Sequence, residues 1–196
     1  MEKRRILIDE KTLQKRIKQL AAQITEDFKG KKLTIICILK GSLYFFADLT
    51  KRIDLESEIE FVRISSYQGK NSTGKIKLKL DTDEPVTGKN VLVIEDIIDT
   101  GRTLAYLMDY LKEQKPKKLK LCTLLDKPER REVKGIRVNY VGFTIPNRFV
   151  IGYGLDLDQE YRNLPEINCI ITEDEDEKQV KKDAKEIKKQ LNESPK

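Results

Sequence analysis

The stretch Val91-Leu-Val-Ile-Glu-Asp-Ile-Ile-Asp-Thr-Gly-Arg-Thr-Leu104 decides the fold that we expect for this chain. It opens with a continuous apolar run, which is typical of a strand buried on both faces of a parallel sheet. Glu95 and Asp96 follow that run, and Asp99 precedes the small and hydroxyl residues that open a helix. Because ligands bind at the carboxyl ends of strands in such sheets, the segment indicates a binding site.

The residues between Asp99 and Leu104 suit a phosphate group. Small and hydroxyl residues before a helix expose backbone N–H groups, and the helix dipole favours an anion there. Neighbouring carboxylates would repel a bare phosphate, whereas sugar hydroxyls and a magnesium ion accept their negative charge. The segment therefore predicts a ligand with a phosphate, free hydroxyls and bound Mg²⁺. Helix capping explains one acid or hydroxyl, but it does not explain Glu95 and Asp96 at the end of a buried strand.

Apolar patterns on both sides of this segment alternate between helices and strands. We expect helices over residues 13–28, 43–53 and 103–114, and strands over residues 33–39, 58–65, 75–80, 90–94, 119–125, 140–145, 149–155 and 169–172. The first helix follows Asp9 as a cap and ends before Gly30. This alternation predicts an α/β fold with a central, mainly parallel sheet that carries helices on both faces. Residues 1–172 contain no repeat or linker and form one predicted domain.

Residues 173–196 are almost wholly charged. Val180, Ala184, Ile187 and Leu191 keep a helical spacing within this tail. One interpretation is a helix that binds a partner or another subunit. The interpretation we favour is a marginal helix that lies loosely on the body or frays.

The chain contains no histidine, which excludes His-based nucleophile systems, histidine general bases and His-ligated metals. Acid–base work must fall to Asp, Glu, Lys or Tyr, and a metal would be a hard cation on oxygen ligands. Cys37, Cys122 and Cys169 form no CxxC pair and suit buried thiols in a reducing cytosol.

Neither a membrane nor a nucleic acid is an expected partner. No apolar run approaches the ~20 residues of a membrane span, and the N-terminus does not resemble a signal peptide, so we expect a cytoplasmic protein. The net charge of +6 comes from lysines and glutamates mixed along solvated faces, without a nucleic-acid-binding motif.

The quoted segment resembles the phosphoribosyl-pyrophosphate signature of the type I phosphoribosyltransferases: a hydrophobic strand, an acidic pair and Asp-Thr-Gly-Arg-Thr. Other stretches resemble, in matching order, the hypoxanthine-guanine branch of that family. They are Leu39-Lys-Gly-Ser42, Ser66-Tyr67, Ser72-Thr-Gly74, Leu124-Leu-Asp-Lys127, Pro146-Asn-Arg-Phe-Val-Ile-Gly152, Leu155-Asp156 and Tyr161-Arg162. The resemblance implies the type I fold, with a small hood and a flexible lid loop at about residues 65–75. It also implies purine salvage, in which phosphoribosyl pyrophosphate donates its 5-phosphoribosyl group to a 6-oxopurine such as hypoxanthine or guanine.

The resemblance also assigns roles to individual residues. The ribose and 5′-phosphate would be bound by Glu95, Asp96, Ile97, Asp99, Thr100, Gly101, Arg102 and Thr103. The pyrophosphate would be bound by Lys40, Gly41, Ser66, Tyr67 and Arg162, in a site where the family carries a non-proline cis peptide. The purine would be bound by Lys127, Phe149, Val150 and Asp156, and Mg²⁺ by Glu95, Asp96 and Asp156.

Two of these residues have chemical roles in the implied reaction. Asp99 would be the catalytic residue that takes the proton from the purine, and Lys127 would reach the six-position oxygen of the base. The family also commonly forms homodimers or homotetramers.

Three alternative interpretations fit the sequence less well. Gly69-Lys-Asn-Ser-Thr-Gly-Lys75 nearly spells a P-loop, but Ile76 stands where Ser or Thr is needed, and we reject it. A regulator that senses phosphoribosyl pyrophosphate and binds nucleic acid could keep the sugar-phosphate loop, yet it could lose Asp99, Lys127 and Phe149. A transferase for pyrimidines or adenine is disfavoured by Lys127 and the Phe149 segment.

Overall fold

The computed structural model describes residues 3–66, 76–171 and 177–193, without the side chains of Ser65 and Ser66. The helices are α1 (Glu10–Asp27), α2 (Leu43–Thr50), α3 (Arg102–Glu113) and α4 (Glu177–Lys189). The strands are β1 (Arg4–Ile8), β2 (Leu33–Leu39), β3 (Ser57–Ser66), β4 (Ile76–Leu80), β5 (Asn90–Ile98), β6 (Lys118–Asp126), β7 (Tyr140–Thr144), β8 (Val150–Ile151) and β9 (Ile167–Ile170). Most of the expected lid loop lies outside the described residues.

The central sheet has six strands in the order β4-β3-β2-β5-β6-β7. Its pairings are parallel except for the antiparallel contact of β4 with β3. The predicted mainly parallel α/β sheet is thus confirmed. Because β2 and β5 are neighbours, their carboxyl ends meet at the same edge, where the predicted phosphate segment lies.

Helices cover both faces of this sheet, as the continuous apolar strands predict. In β2, Ile35 and Cys37 belong to the core that contains α1 and α2. Ile36 and Ile38 belong to a second core, which contains the apolar side of α3. Alternate side chains of one strand therefore pack into two cores, one on each face of the sheet.

A second sheet of three antiparallel strands, in the order β1-β9-β8, forms the small hood. β1 is not among the strands predicted from the sequence. In this strand only Leu7 and Ile8 are buried, while the first three residues are exposed, so no alternation marks it as a strand.

Two strands differ most from the expectation, while the strand expected over residues 169–172 is observed as Ile167–Ile170 and the helix expected over residues 43–53 ends at Thr50. β5 does not end at Ile94 but continues through both acids to Ile98, because its backbone stays paired with β6 as far as Asp126. The strand expected over residues 149–155 shrinks to Val150–Ile151. Beyond it, Gly152, Tyr153 and Gly154 all adopt positive φ angles, which turn the chain out of the strand.

The described part of the charged tail does not lie loosely on the body. α4 packs against β1 and buries Val180 and Ile187, and Leu191 is buried in the 3-10 turn Gln190–Asn192 that follows. The apolar stripe at helical spacing thus docks on the body. None of the helices in the described ranges is long and apolar enough to cross a membrane.

Candidate active site

The turn after β2 lies against the acids of β5 in very close backbone packing. The peptide bond between Leu39 and Lys40 is cis. A Cβ on Gly41 would overlap the Asp96 carboxylate, and a Cβ on Gly154 would overlap the Gly41 carbonyl. Glycine at these two positions therefore lets three chain segments meet beneath the site.

A cavity of about 360 Å³ opens above this turn, and we call it the larger cavity. Its lining includes seven of the predicted site residues, with Arg63 and Gln159 in addition. The seven are Lys40, Gly41, Glu95, Asp96, Thr103, Asp156 and Arg162. The structure therefore brings three of the five predicted pyrophosphate residues and the predicted acids to the same cavity.

Glu95 and Asp96 are half-buried residues whose carboxylates are enclosed by protein and therefore favour protons. Burial raises the pKa of Asp96 to about 6, although the N–H of Ile97 donates to its Oδ1 at 2.8 Å and opposes the shift. Burial, and then the neighbouring Asp96, raise the pKa of Glu95. Glu95 Oε2 has no hydrogen-bond partner within the described ranges, since the nearby Ser42 hydroxyl is outside hydrogen-bonding geometry. An unpaired, buried carboxylate oxygen suits a ligand hydroxyl or a cation.

Cationic side chains face these acids across the larger cavity. Arg162 Nη2 lies 2.9 Å from Asp156 Oδ1. Gln159 Oε1 accepts from Lys40 Nζ at 3.1 Å and from Arg162 Nη2 at 3.3 Å, so one amide connects the two predicted pyrophosphate cations. Gln159 and Arg63 were not predicted as site residues, since no sequence motif contains them.

The remaining two predicted pyrophosphate residues are described only in part. The backbone of Ser66 ends β3, opposite Ile76 of β4. Tyr67 lies outside the described residues.

A second cavity, of about 130 Å³, lies at the start of α3, and we call it the smaller cavity. Its lining includes the predicted sugar-phosphate residues Glu95, Ile97, Asp99, Thr100, Gly101, Arg102 and Thr103. Gly101 has a φ of +80° and no side chain with which to cap α3. The N–H of Arg102 makes only a long bond to Thr100 Oγ1, at 3.5 Å, so the start of the helix can still present N–H groups to a ligand. The Thr100 carbonyl accepts from Glu132 N at 3.0 Å, which fixes the turn.

Asp99 lines the smaller cavity, and Lys127 is close enough to interact electrostatically with Asp99. Lys127 follows β6 and donates its backbone N–H to Ile98 O at 3.0 Å. Burial lowers the pKa of its ammonium group, whereas nearby Asp99 opposes that shift. Within the described ranges Lys127 Nζ has no ion pair. Asp99 Oδ1 instead accepts from Arg130 Nε at 2.9 Å, a contact that the sequence analysis missed.

Phe149 and Val150 come from the hood, and they line neither cavity. The Phe149 side chain is 53% exposed, whereas Val150 is buried and pairs with Cys169. Of the predicted purine residues, Asp156 therefore lines the larger cavity, whereas Phe149, Val150 and Lys127 line neither cavity.

Carboxylates at the larger cavity fit a magnesium ion that shares its ligands with a substrate. Among the described residues, no group of three or more acids or cysteines is close enough to hold a metal alone. Mg²⁺ is commonly bound by one or two carboxylates together with substrate phosphates and water. The unpaired Glu95 Oε2 and the carboxylates of Asp96 and Asp156 match that donor set.

Comparisons with known proteins agree with this geometry. The family model for the phosphoribosyl transferase domain matches residues 6–158. The chain belongs to the phosphoribosyltransferase family. The hypoxanthine phosphoribosyltransferase of Buchnera aphidicola subsp. Schizaphis graminum is 48% identical over 170 residues, which cover 85% of this chain and 96% of that protein. The hypoxanthine phosphoribosyltransferase of Escherichia coli K12 is 44% identical over 173 residues, covering 87% of this chain and 97% of that protein.

A solved structure places the chain in the same branch of the family. The crystal structure of a hypoxanthine-guanine phosphoribosyltransferase from Bacillus anthracis shares 49% identity and a TM-score of 0.82. The match covers 87% of this chain and all of that one. The resemblance to the hypoxanthine-guanine branch is thereby confirmed.

Proposed function

We propose that this chain transfers the 5-phosphoribosyl group of phosphoribosyl pyrophosphate to hypoxanthine or guanine, giving IMP or GMP and pyrophosphate. The observation that carries the proposal is the meeting of the acids, the phosphate turn and two cations at adjoining cavities. The 5′-phosphate would occupy the smaller cavity, against the start of α3. The ribose hydroxyls would reach Glu95 and Asp96, and the pyrophosphate would reach Lys40 and Arg162.

The chemistry requires groups that hold the sugar while its anomeric carbon gains positive charge. Glu95 and Asp96 would accept hydrogen bonds from the ribose hydroxyls and stabilise that charge. Lys40 and Arg162 would stabilise the negative charge of the departing pyrophosphate. When bound, Mg²⁺ would further neutralise the pyrophosphate. Because its carboxylate lies beside the start of α3, Asp99 would take the proton from the purine nitrogen as the new bond forms.

Base recognition would depend on Lys127. Its Nζ is free of ion pairs within the described ranges and could donate to the six-position oxygen of a 6-oxopurine. Adenine carries an amino group there and would offer no acceptor. Phe149 would stack on the base, and Val150 would offer a backbone group to the edge of the purine ring. Asp156 would lie between the purine and the bound Mg²⁺. These residues favour the transferase over a nucleic-acid-binding regulator.

The setting of the proposed enzyme is cytoplasmic, which the three buried, free cysteines support. A homodimer or homotetramer is proposed as its assembly, since Leu43 and Tyr44 of α2 are 44% and 43% exposed.

The proposal is tested by incubating the protein with Mg²⁺, phosphoribosyl pyrophosphate and each of hypoxanthine, guanine, xanthine, adenine and uracil. We expect a mononucleotide from hypoxanthine or guanine and none from adenine or uracil. Omission of Mg²⁺ should abolish turnover, and a titration should detect binding of phosphoribosyl pyrophosphate with Mg²⁺. Turnover of adenine or uracil alone, or no binding of the sugar donor, would overturn the proposal.

A further inference from the structure

The segment that carries Phe149 is held by the C-terminal part of the chain. Residues 144–150, which we call the base-side segment, connect the end of β7 to the start of β8. Two of its residues, Thr144 and Arg148, are bound by side chains of α4 and of the 3-10 turn after it. This part of the chain lies beyond residue 158, where the family match ends.

The first contact is a buried ion pair. Arg148 Nε donates to Asp183 Oδ2 at 2.6 Å, and the two side chains are only 10% and 9% exposed. The other carboxylate oxygen of Asp183 accepts from Gln179 Nε2 at 2.8 Å. Since both oxygens are bound, the carboxylate has one orientation, and it fixes Arg148 next to Phe149.

The second contact is a pair of hydrogen bonds to a strand edge. β7 is the last strand of the central sheet, so one side of its backbone has no neighbouring strand. Gln190 Oε1 accepts from Thr144 N, and Gln190 Nε2 donates to Thr144 O, both at 2.9 Å. One amide thereby fixes the end of β7, where the base-side segment begins.

The exposed ring of Phe149 has little packing of its own to hold it. Its position therefore depends on its backbone, which is fixed after the ring by the bond from Ile170 N to Phe149 O, at 3.1 Å. Before the ring, the backbone is held by main-chain bonds from Ile145 N to Asp126 O, at 2.9 Å, and from Arg148 N to Pro146 O, at 2.8 Å, together with the contacts of α4 to Arg148 and of Gln190 to Thr144. We propose that Asp183 and Gln190 are positioning residues, through which α4 holds the base-side segment where Phe149 and Val150 meet the purine.

This inference rests on the proposed function and predicts a loss specific to the base. Asp183→Ala should raise the KM for hypoxanthine about tenfold, because a misplacement of about 1 Å is enough for such losses. The KM for phosphoribosyl pyrophosphate should stay within about twofold, because α4 does not contact either cavity. Asp183→Asn keeps an acceptor for Arg148, so its KM for hypoxanthine should be close to that of the wild type.

A matched control comes from the other end of α4. Glu177 binds Lys3 Nζ at 2.6 Å and Arg5 Nη2 at 3.0 Å, remote in sequence from the base-side segment. Glu177→Gln weakens the docking of α4 without touching Arg148 or Thr144, so both KM values should stay as in the wild type. Gln190→Ala serves as a second variant if Asp183→Ala does not fold.

Hydrogen–deuterium exchange of the amides of residue 145 and residues 147–151 gives a readout that does not need turnover. Faster exchange in Asp183→Ala than in Glu177→Gln is expected. The inference is overturned if exchange is unchanged, if the hypoxanthine KM is unchanged in both Asp183→Ala and Gln190→Ala, or if the two KM values rise together. If the wild-type protein converts no purine, the proposed function is wrong. The hydrogen–deuterium exchange rates still decide whether α4 holds the base-side segment.

Discussion

The sugar-phosphate side and the base side of the site are constructed in different ways. Glu95 to Thr103 form the first within one strand, one turn and the start of one helix. The second takes Lys127 from the end of β6 and Phe149 from the hood, with Arg148 held by α4. The sugar-phosphate side is one contiguous segment on a buried strand and is rigid by itself. The base side combines residues from separate elements, so its rigidity depends on the contacts between those elements. Substitutions on the two sides should therefore separate in kinetics.

The largest effect is expected at Asp99, where the two sides meet. Asp99→Asn should lower kcat with hypoxanthine by about 100- to 10,000-fold, the range that a general base commonly contributes. Affinity for phosphoribosyl pyrophosphate should change little, because asparagine keeps the shape of the side chain beside the phosphate turn. Steady-state kinetics and a titration with the sugar donor measure the two quantities. Asp109→Asn, on the exposed side of α3, is the control, and an unchanged kcat in Asp99→Asn removes the base role.

The difference between the two sides also explains which parts of the fold and of the site could be predicted from the sequence. β2 is observed as Leu33–Leu39, as predicted, and the Asp9 cap binds Thr12 N at 2.8 Å. Apolar runs and caps are local signals, so the central sheet, its layers and the phosphate turn could be predicted. The acids of β5 were also recognised, although the strand itself runs further than its apolar run.

Other parts of the site arise from contacts between distant residues and carry no local signal. Gln159 connects Lys40 with Arg162, yet 119 residues separate it from Lys40. The pair of Arg130 with Asp99 likewise depends on the neighbouring positions of β5 and β6. The docking of α4 was missed because a charged helix has few apolar residues, and its burial of Asp183 depends on Arg148. Such contacts follow from the fold and not from any spacing.

A smaller effect, confined to the sugar side, is expected from Gly41→Ala. The added methyl group would overlap the Asp96 carboxylate and displace the turn that carries Lys40. We expect kcat/KM for phosphoribosyl pyrophosphate to fall about 100-fold, as misplaced catalytic groups commonly cause. Gly88→Ala is the control, because no atom lies within 4 Å of its added methyl group and its φ of +72° costs only stability. A kcat/KM within threefold of the wild type would contradict the close packing of these segments.

The smallest effect is expected from Lys127→Met, and it should fall on the base alone. Loss of one hydrogen bond from a charged donor costs about 1.5–3 kcal/mol, so kcat/KM for hypoxanthine should fall about 10- to 100-fold. The KM for phosphoribosyl pyrophosphate should not change, because Lys127 lines neither cavity. Lys134→Met, an exposed lysine, is the kinetic control. An equal loss for both substrates would show that the two sides are not separate.

The same substitution should stabilise the protein without ligand. Burial lowers the pKa of Lys127, so at neutral pH the folded state carries a buried charge that methionine removes. Lys127→Met should then have the higher melting temperature. As pH rises from the lowered pKa towards 10.5, the unfolded chain binds more protons than the folded one, so the wild type gains stability and the difference narrows. Thermal melts of both proteins across this pH range show whether the difference in melting temperature narrows or grows. If the difference in melting temperature between Lys127→Met and the wild type instead grows with pH, the folded protein stabilises Lys127 as a cation. The buried ammonium group would then not lower the stability of the protein without ligand.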